Sequence, residues 1–256
     1  MLELLTRVYH RIMIKATLTN VMNNVNPERK PAMKLSASIL SADHLRLGEE
    51  IERAVQSGCE LMHLDVMDGH FVPNLAVGLC TIEALRHETR LRKDAHLMIS
   101  NPEAMIAPFI RAGVDSITIH AESTPHHIRL LREIKKAGIR AGIALTPETP
   151  VEAVLTALPE ADIVLQVSVC VGFGGQKFIA PVFKKLRQLR AYKERFGYGY
   201  EIQVDGGITF ETAATAAQCG AEVLVAGSAL FCAADMRAAA ESLRAATESL
   251  RAATPE

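Results

Sequence analysis

Met62-His63-Leu64-Asp65-Val66 sets three apolar side chains in alternation with an imidazole and a carboxylate. Successive strand residues face opposite sides, so such a segment has one oily face and one face bearing His63 and Asp65. The same period of two recurs to either side. Leu35, Ala37 and Ile39 alternate within Lys34–Ile39, and Ala95, Leu97 and Ile99 alternate with Asp94, His96 and Met98. Ile117 and Ile119 alternate with Ser116, Thr118 and His120; Ala141, Ile143 and Leu145 with Gly142, Ala144 and Thr146. Ile163, Leu165 and Val167 alternate with Val164, Gln166 and Ser168, and Ile202 and Val204 with Glu201, Gln203 and Asp205. The eighth segment, Glu222–Ala226, is apolar after its opening glutamate.

Amphipathic helical stretches lie between these segments. Gly58, Gly113, Gly138 and Gly220 precede the next strand, where a left-handed residue ends a helix. Asp43, Asn101-Pro102 and Pro147 to Pro150 mark helix starts. Lys34 to Arg251 gives 218 residues for eight strand–helix units, about 27 each, which predicts an α/β fold of the single-domain (β/α)8 TIM-barrel type. The oily faces should pack outward on the helices, and the polar strand ends should converge at the C-terminal mouth. An open doubly wound sheet explains the alternation less well, because its strands are buried on both faces and read as continuous apolar runs.

Composition agrees with a packed core. The chain has 256 residues, 49% apolar and 22% charged, with 28 Lys plus Arg against 29 Asp plus Glu. A net charge of −1 offers no clustered positive excess for nucleic acid or an anionic membrane. No apolar run is long enough to span a bilayer. The five cysteines (Cys59, Cys80, Cys170, Cys219, Cys232) are scattered, with no Cys-x-x-Cys pair. That pattern suits reduced thiols in a cytoplasmic protein.

The ends read differently. Residues 1–32 carry Arg7, Arg11, Lys15, Arg29 and Lys30 against Glu3 and Glu28, which leaves two readings: an upstream extension or misplaced start before Met33, or an organelle transit peptide. The barrel is expected over 33–240 and a helical extension over 241–256. There, Glu241–Thr247 (ESLRAAT) repeats unchanged as Glu248–Thr254, each copy placing Glu three residues before Arg. It reads as a tolerated duplication on a solvated helix ended by Pro255.

The strand ends carry the chemistry. His63 and Asp65 share one face, His96 follows on the third strand, and Asp205 ends the seventh. Two imidazoles and two carboxylates converging at a mouth make a divalent-metal site; the bland alternative is a set of hydrogen-bonded core histidines. Three glycine-bearing loops follow: Gly172-Phe173-Gly174-Gly175, Gly206-Gly207 and Gly227-Ser228. Backbone N–H groups in late-strand loops of barrels hold phosphate, although tight turns need glycine anyway.

Several of these stretches together resemble one family. They are Ser38-Ile39-Leu40-Ser41-Ala42-Asp43, His63 through Asn74, Asp94-Ala95-His96-Leu97-Met98, Gly172 to Gln176 and Val204-Asp205-Gly206-Gly207-Ile208. From about Lys34 to Ala233 the chain resembles the ribulose-phosphate 3-epimerases. The resemblance implies that His63, Asp65, His96 and Asp205 hold one divalent metal (Zn²⁺, Fe²⁺, Mn²⁺ or Co²⁺), and that Asp65 and Asp205 are the acid–base pair. It implies substrate contacts from Ser38, His96 and Asp205, with phosphate held by Gly172, Phe173, Gly174, Gly175, Gly206, Gly207, Gly227 and Ser228. Met67 and Met98 would flank the reacting carbons, and Cys170 would lie near the site. The chain departs from the family at Ala37, where proline is usual, at Val167, where methionine is usual, and at Cys170-Val171 in place of Asn-Pro.

Epimerising a carbon beside a ketone removes a proton from one face and adds one to the other, a task for two carboxylates with a cation stabilising the enediolate. The expected reaction is D-ribulose 5-phosphate to D-xylulose 5-phosphate in the pentose phosphate pathway, with a homo-oligomer as a further expectation. An allulose 6-phosphate epimerase would share this chemistry. A decarboxylase of the orotidine-monophosphate type would place lysine where Met67 stands, and an inert phosphate-binding barrel is the reading from another class.

Overall fold

The computed structural model describes residues 32–251, whose compact unit opens at Met33. The first of the alternating segments forms β1 (Lys34–Ser38) and the second forms β2 (Leu61–Asp68). A two-residue antiparallel strand, β3 (Leu75–Ala76), folds back on the end of β2. Then follow β4 (Arg92–Met98), β5 (Ser116–His120), β6 (Arg140–Leu145), β7 (Ile163–Val167), β8 (Glu201–Asp205) and β9 (Val223–Ala226). Apart from β3 all pair in parallel, in the order β1-β9-β8-β7-β6-β5-β4-β2, and pairing of β1 with β2 closes the barrel. A closed sheet has no exposed edge, which an open sheet would have left at both ends.

The helices are α1 (Leu47–Gln56), α2 (Leu79–Ala84), α3 (Pro102–Ala112), α4 (His127–Lys136), α5 (Val182–Phe196), α6 (Phe210–Cys219), α7 (Ser228–Phe231) and α8 (Met236–Arg251). Asn101 caps α3, its side chain accepting the Ala104 N–H at 3.3 Å, with Pro102 in the first turn. Asp43 accepts the Leu45 N–H at 3.0 Å and starts a 3-10 turn ahead of α1. The start expected at Pro147 to Pro150 leads only into two 3-10 turns, Val151–Val154 and Leu158–Glu160. Pro159 falls within the second of them, and the residue before a proline avoids the α conformation.

Leu35, Leu64, Leu97, Ile119, Ile143 and Val204 pack outward with helix residues such as Ile51, Ile106, Leu130 and Leu186 in one large core. The sixth barrel strand corrects the expected pattern. On β7 it is Val164 that joins this core, whereas Leu165 and Val167 cluster with Ala144 and Val225 inside the barrel. Gln166, which looked like the polar marker of the inner face, is buried on the other side and donates to the carbonyls of Leu145, Thr146 and Val167 at 3.2, 3.4 and 2.9 Å. Both faces of this strand are buried, so a single amide could not settle its parity.

The N-terminal end of the barrel is closed by one device used four times. The residue before each of β2, β5, β7 and β9 is acidic: Glu60, Asp115, Asp162 and Glu222. Each donates its backbone N–H to a carbonyl on the preceding strand, at Leu35, Lys93, Ala141 and Ile202, over 2.8–3.0 Å. Its carboxylate accepts the N–H of that same residue at 2.9, 2.7, 3.0 and 2.9 Å. A cation sits on each carboxylate: Arg244 on Glu60, Lys93 on Asp115, Lys135 on Asp162 and Lys193 on Glu222.

Arg244 thereby corrects a second expectation. It does not serve Glu241 three residues before it but reaches the Gly58 carbonyl and Glu60. Ala240, Leu243, Ala246 and Thr247 are buried against the barrel, so the first copy of the repeat carries a packed face rather than a solvated one. The division expected at Ala240 falls inside α8, which runs unbroken to Arg251. A seven-residue repeat nearly matches two helical turns and keeps that face in line. Pro255 and the readings of residues 1–31 lie outside the described residues.

Candidate metal and phosphate site at the barrel mouth

At the C-terminal end a cleft opens. Its floor holds His63 and Asp65 from β2, His96 from β4 and Asp205 at the end of β8. One donor atom from each lies within 4.8 Å of all the others. His63 Nε2 is 3.2 Å from His96 Nδ1 and 3.6 Å from Asp65 Oδ1, and His96 Nδ1 is 3.5 Å from Asp65 Oδ1. Asp205 Oδ2 stands 4.0 Å from both imidazoles. A divalent ion with bonds of about 2.0–2.2 Å separates tetrahedral donors by about 3.3–3.6 Å, so the cluster has the size of a first coordination sphere.

Charge makes the same demand. Among the described residues no Lys or Arg pairs with Asp65, Asp94 or Asp205, unlike the four acids at the other end. Burial disfavours a cationic His63, yet the carboxylates of Asp65, Asp94 and Asp205 outweigh it and raise its pKa to about 10. His96 goes the other way: burial lowers it to about 4 and keeps it neutral. Burial also favours a protonated Asp65, but His63, His96 and the Ser38 hydroxyl hold its carboxyl below the usual range. Asp205 is raised by burial and by the charge of Asp65. A divalent cation fits this donor set and supplies the missing positive charge.

Hydrogen bonds orient the floor. Ser38 Oγ donates to Asp65 Oδ2 at 2.6 Å, leaving Oδ1 to the imidazoles. His63 Nδ1 meets Asp94 Oδ2 at 3.1 Å, and Ser116 Oγ donates to Asp94 Oδ1 at 2.5 Å. Asp205 is gripped by its backbone, its carbonyl accepting both the N–H and the hydroxyl of Ser168 at 2.7 Å. Its side chain is 19% exposed against 5% for Asp65, so of the two carboxylates lining the cleft Asp205 is the more open.

The walls collect the remaining predicted residues. Met67 and Met98 form an apolar patch with Val72, and Val167, Val169 and Val225 form another. Ser38, Gly172, Phe173, Gly174, Gly175, Gly206, Gly207, Gly227 and Ser228 all line the cleft. Three of the glycines are required by space: a Cβ on Gly206, at φ +108°, would lie 2.5 Å from Val169 Cγ2. A Cβ on Gly207, at φ +61°, would lie 2.4 Å from the Phe178 nitrogen, and one on Gly227 would lie 2.6 Å from Ser41 Oγ. Gly227 also leads into α7, a short extra helix after the last strand of the kind that holds phosphate in barrels. Cys170 is exposed and does not line the cleft, while Val169 and Val171 on either side of it do.

Several residues were missed from the sequence. Ser41 lines the cleft between Gly174 and Gly227. Asn74 Nδ2 donates to the Gly172 carbonyl at 2.8 Å, tying the loop after β2 to the loop after β7. Gln176 Nε2 donates to the carbonyls of Cys170 and Phe173 at 2.6 and 2.8 Å, bracing the loop where the resemblance led one to expect proline. His120 and Glu122 stand behind His96. A polar residue at a strand end with a carboxylate two positions on was the available signal, the same one that marked His63 and Asp65.

Comparison with known proteins agrees with this geometry. Residues 34–231 match the profile of the Ribulose-phosphate 3 epimerase family. The chain is 43% identical over 206 residues to the ribulose-phosphate 3-epimerase of Bacillus subtilis, covering 80% of this chain and 95% of that one. It is 42% identical over 220 residues to the chloroplastic ribulose-5-phosphate-3-epimerase of Arabidopsis thaliana, covering 85% and 78%. The solved structure of orotidine 5′-phosphate decarboxylase from Pyrococcus horikoshii shares the fold, with a TM-score of 0.61, 16% identity and coverage of 84% and 99%. A match over most of the barrel, on a chain whose acids and imidazoles meet at its mouth, places this protein in the ribulose-phosphate 3-epimerase family of isomerases.

Proposed function

We propose that the protein interconverts D-ribulose 5-phosphate and D-xylulose 5-phosphate by moving the proton at C3, with Asp65 and Asp205 as the acid–base pair. The observation that carries this reading is geometric: two carboxylates, Asp65 and Asp205, line one cleft beside His96, reaching it from different strands. One can take a proton while the other gives one. They come from β2 and β8, with β1 and β9 between them, so a sugar lying over the floor meets them from two sides. Ser38 Oγ donates to Asp65 Oδ2 and fixes the orientation of that carboxylate. Met67 and Met98 exclude water from the reacting carbons, and the glycine loops with Ser228 hold the phosphate. His63, Asp65, His96 and Asp205 would hold one divalent metal (Zn²⁺, Fe²⁺, Mn²⁺ or Co²⁺). That ion supplies Lewis-acid stabilisation of the negative charge that builds on the substrate oxygens.

Val167 favours a second reading, turnover of a six-carbon ketose phosphate such as allulose 6-phosphate. It lines the cleft where the family usually carries the longer methionine. Scattered free cysteines support a cytoplasmic setting, and among the described residues no helix is long and apolar enough to cross a membrane.

The test is turnover of both sugars in deuterated water with metal-replete protein and after chelation. Faster turnover of ribulose 5-phosphate, deuterium at C3 and loss of rate on chelation restored by a divalent ion are expected. A metal-replete protein that exchanges no C3 proton overturns the reading, and preference for the six-carbon sugar selects the second.

A further inference from the structure

The two imidazoles on the floor are backed differently. His63 touches its carboxylate, Asp94, directly. His96 Nε2 instead lies 2.8 Å from Nε2 of His120, the ring planes 26° apart and the centroids 4.9 Å apart. His120 Nδ1 lies 2.9 Å from Glu122 Oε2, and the other oxygen of Glu122 accepts the Thr146 N–H at 2.9 Å. His96 and His120 are fully buried, so water does not supply an alternative partner.

Each short contact holds one hydrogen, and the chain of contacts decides where each sits. The Glu122 carboxylate has none to offer, so His120 Nδ1 carries the first. A neutral His120 is then bare at Nε2, which requires the second hydrogen on His96 Nε2. A neutral His96 is bare at Nδ1, the atom that faces His63, Asp65 and Asp205. The opposite arrangement would set the bare Nδ1 of His120 against a carboxylate, lone pair to lone pair.

We infer that Glu122 and His120 are positioning residues that lock His96 in its Nε2–H tautomer and so aim the Nδ1 lone pair at the metal. The inference rests on the reading of His96 as a metal ligand. It extends the usual carboxylate–histidine–metal arrangement by one imidazole.

Glu122→Gln tests it sharply. The Thr146 N–H requires an acceptor, so the amide oxygen takes that place and the amide NH2 turns to His120 Nδ1. Every hydrogen in the relay is then reversed, and His96 presents N–H to the centre. Zn²⁺ affinity, measured on metal-free protein by competition with a chromophoric chelator, should fall about 10- to 100-fold, the usual effect of losing an outer-sphere partner. The imidazole ¹⁵N shifts of metal-free protein should report His96 protonated on Nε2 in wild type and on Nδ1 in Glu122→Gln. A substitution that merely loosened packing would move neither the tautomer nor, with the melting temperature unchanged, the affinity.

Wild type showing His96 protonated on Nδ1 overturns the relay, and this measurement stands even if Glu122→Gln does not fold. Affinity within twofold of wild type in a folded Glu122→Gln overturns it as well. Wild type that takes up no Zn²⁺ overturns instead the metal centre on which the relay acts.

Discussion

The two ends of this barrel treat acidic residues in opposite ways. At the N-terminal end Glu60, Asp115, Asp162 and Glu222 each hold one backbone N–H and one cation. At the C-terminal end Asp65 and Asp205 converge with His63 and His96, and among the described residues no Lys or Arg answers them. Carboxylates answered one by one close a structure. Carboxylates brought together among imidazoles, with no lysine or arginine between them, make a place for a divalent cation. The same residue types thus serve stability at one end and chemistry at the other, and neighbours alone make the difference.

Substitutions that remove one acid at a time should separate the ends. The largest effect is expected for Asp205→Asn, which should lower kcat at least ~10²-fold, about 2.7 kcal/mol of barrier, while the melting temperature of the metal-free protein holds. Steady-state kinetics beside thermal denaturation checks this; near-normal turnover would mean that the mouth works without its second carboxylate.

Glu222→Ala should do the reverse. It strands the Ile202 N–H, on a residue 1% exposed, and deprives Lys193 of its partner, so about 1–3 kcal/mol of stability should go. Its kcat should stay within twofold. Urea denaturation with parallel assays decides, and a loss of activity without a loss of stability would break the contrast between the ends.

A third acid sits at the mouth but behaves like those of the base. Asp68 accepts the N–H groups of His70, Phe71 and Ser100 at 2.9, 2.9 and 2.7 Å. Burial works against its charge, but these bonds lower its pKa to about 2. A depressed carboxylate stabilises the fold above its ordinary value near 4 and loses that contribution as pH falls toward 2. Asp68→Asn should therefore cost about 1 kcal/mol at pH 6, with the gap to wild type closing between pH 4 and pH 2. A gap that stays constant over this range would assign the loss to shape rather than charge.

The smallest effect is expected at Cys170. Its thiol is exposed beside the cleft rather than in it, so alkylation should change kcat/KM less than twofold and inorganic phosphate should not slow the modification. Protection by phosphate, absent in Cys170→Asn, would put the thiol at the site and move the boundary of the mouth.

Much of this contrast was legible beforehand. His63, Asp65, His96 and Asp205 stood out because polar residues interrupt otherwise oily strands at positions that share a face. The base acids were passed over because an acidic residue after a helix-ending glycine, as in Gly113-Val114-Asp115 or Gly220-Ala221-Glu222, looks like a solvated turn. What singles them out is the N–H on the neighbouring strand, a partner about 20 to 25 residues away. β7 was misread for a related reason: Ile163-Val164-Leu165 is apolar on both faces, so periodicity held no parity to read.

By itself the sequence determined the eight barrel strands, their order, the glycines of the loops and the four polar groups at the mouth. Each of these is written in a local pattern, a period of two, a left-handed turn, a polar residue at a strand end. Only the tertiary structure decided which acids face one another and which face a cation, that Arg244 serves Glu60 rather than Glu241, and that His120 and Glu122 stand behind His96. Those relations depend on the register of neighbouring strands and on closure of the sheet, which bring residues far apart in the chain within hydrogen-bond reach, and no local pattern encodes such a distance.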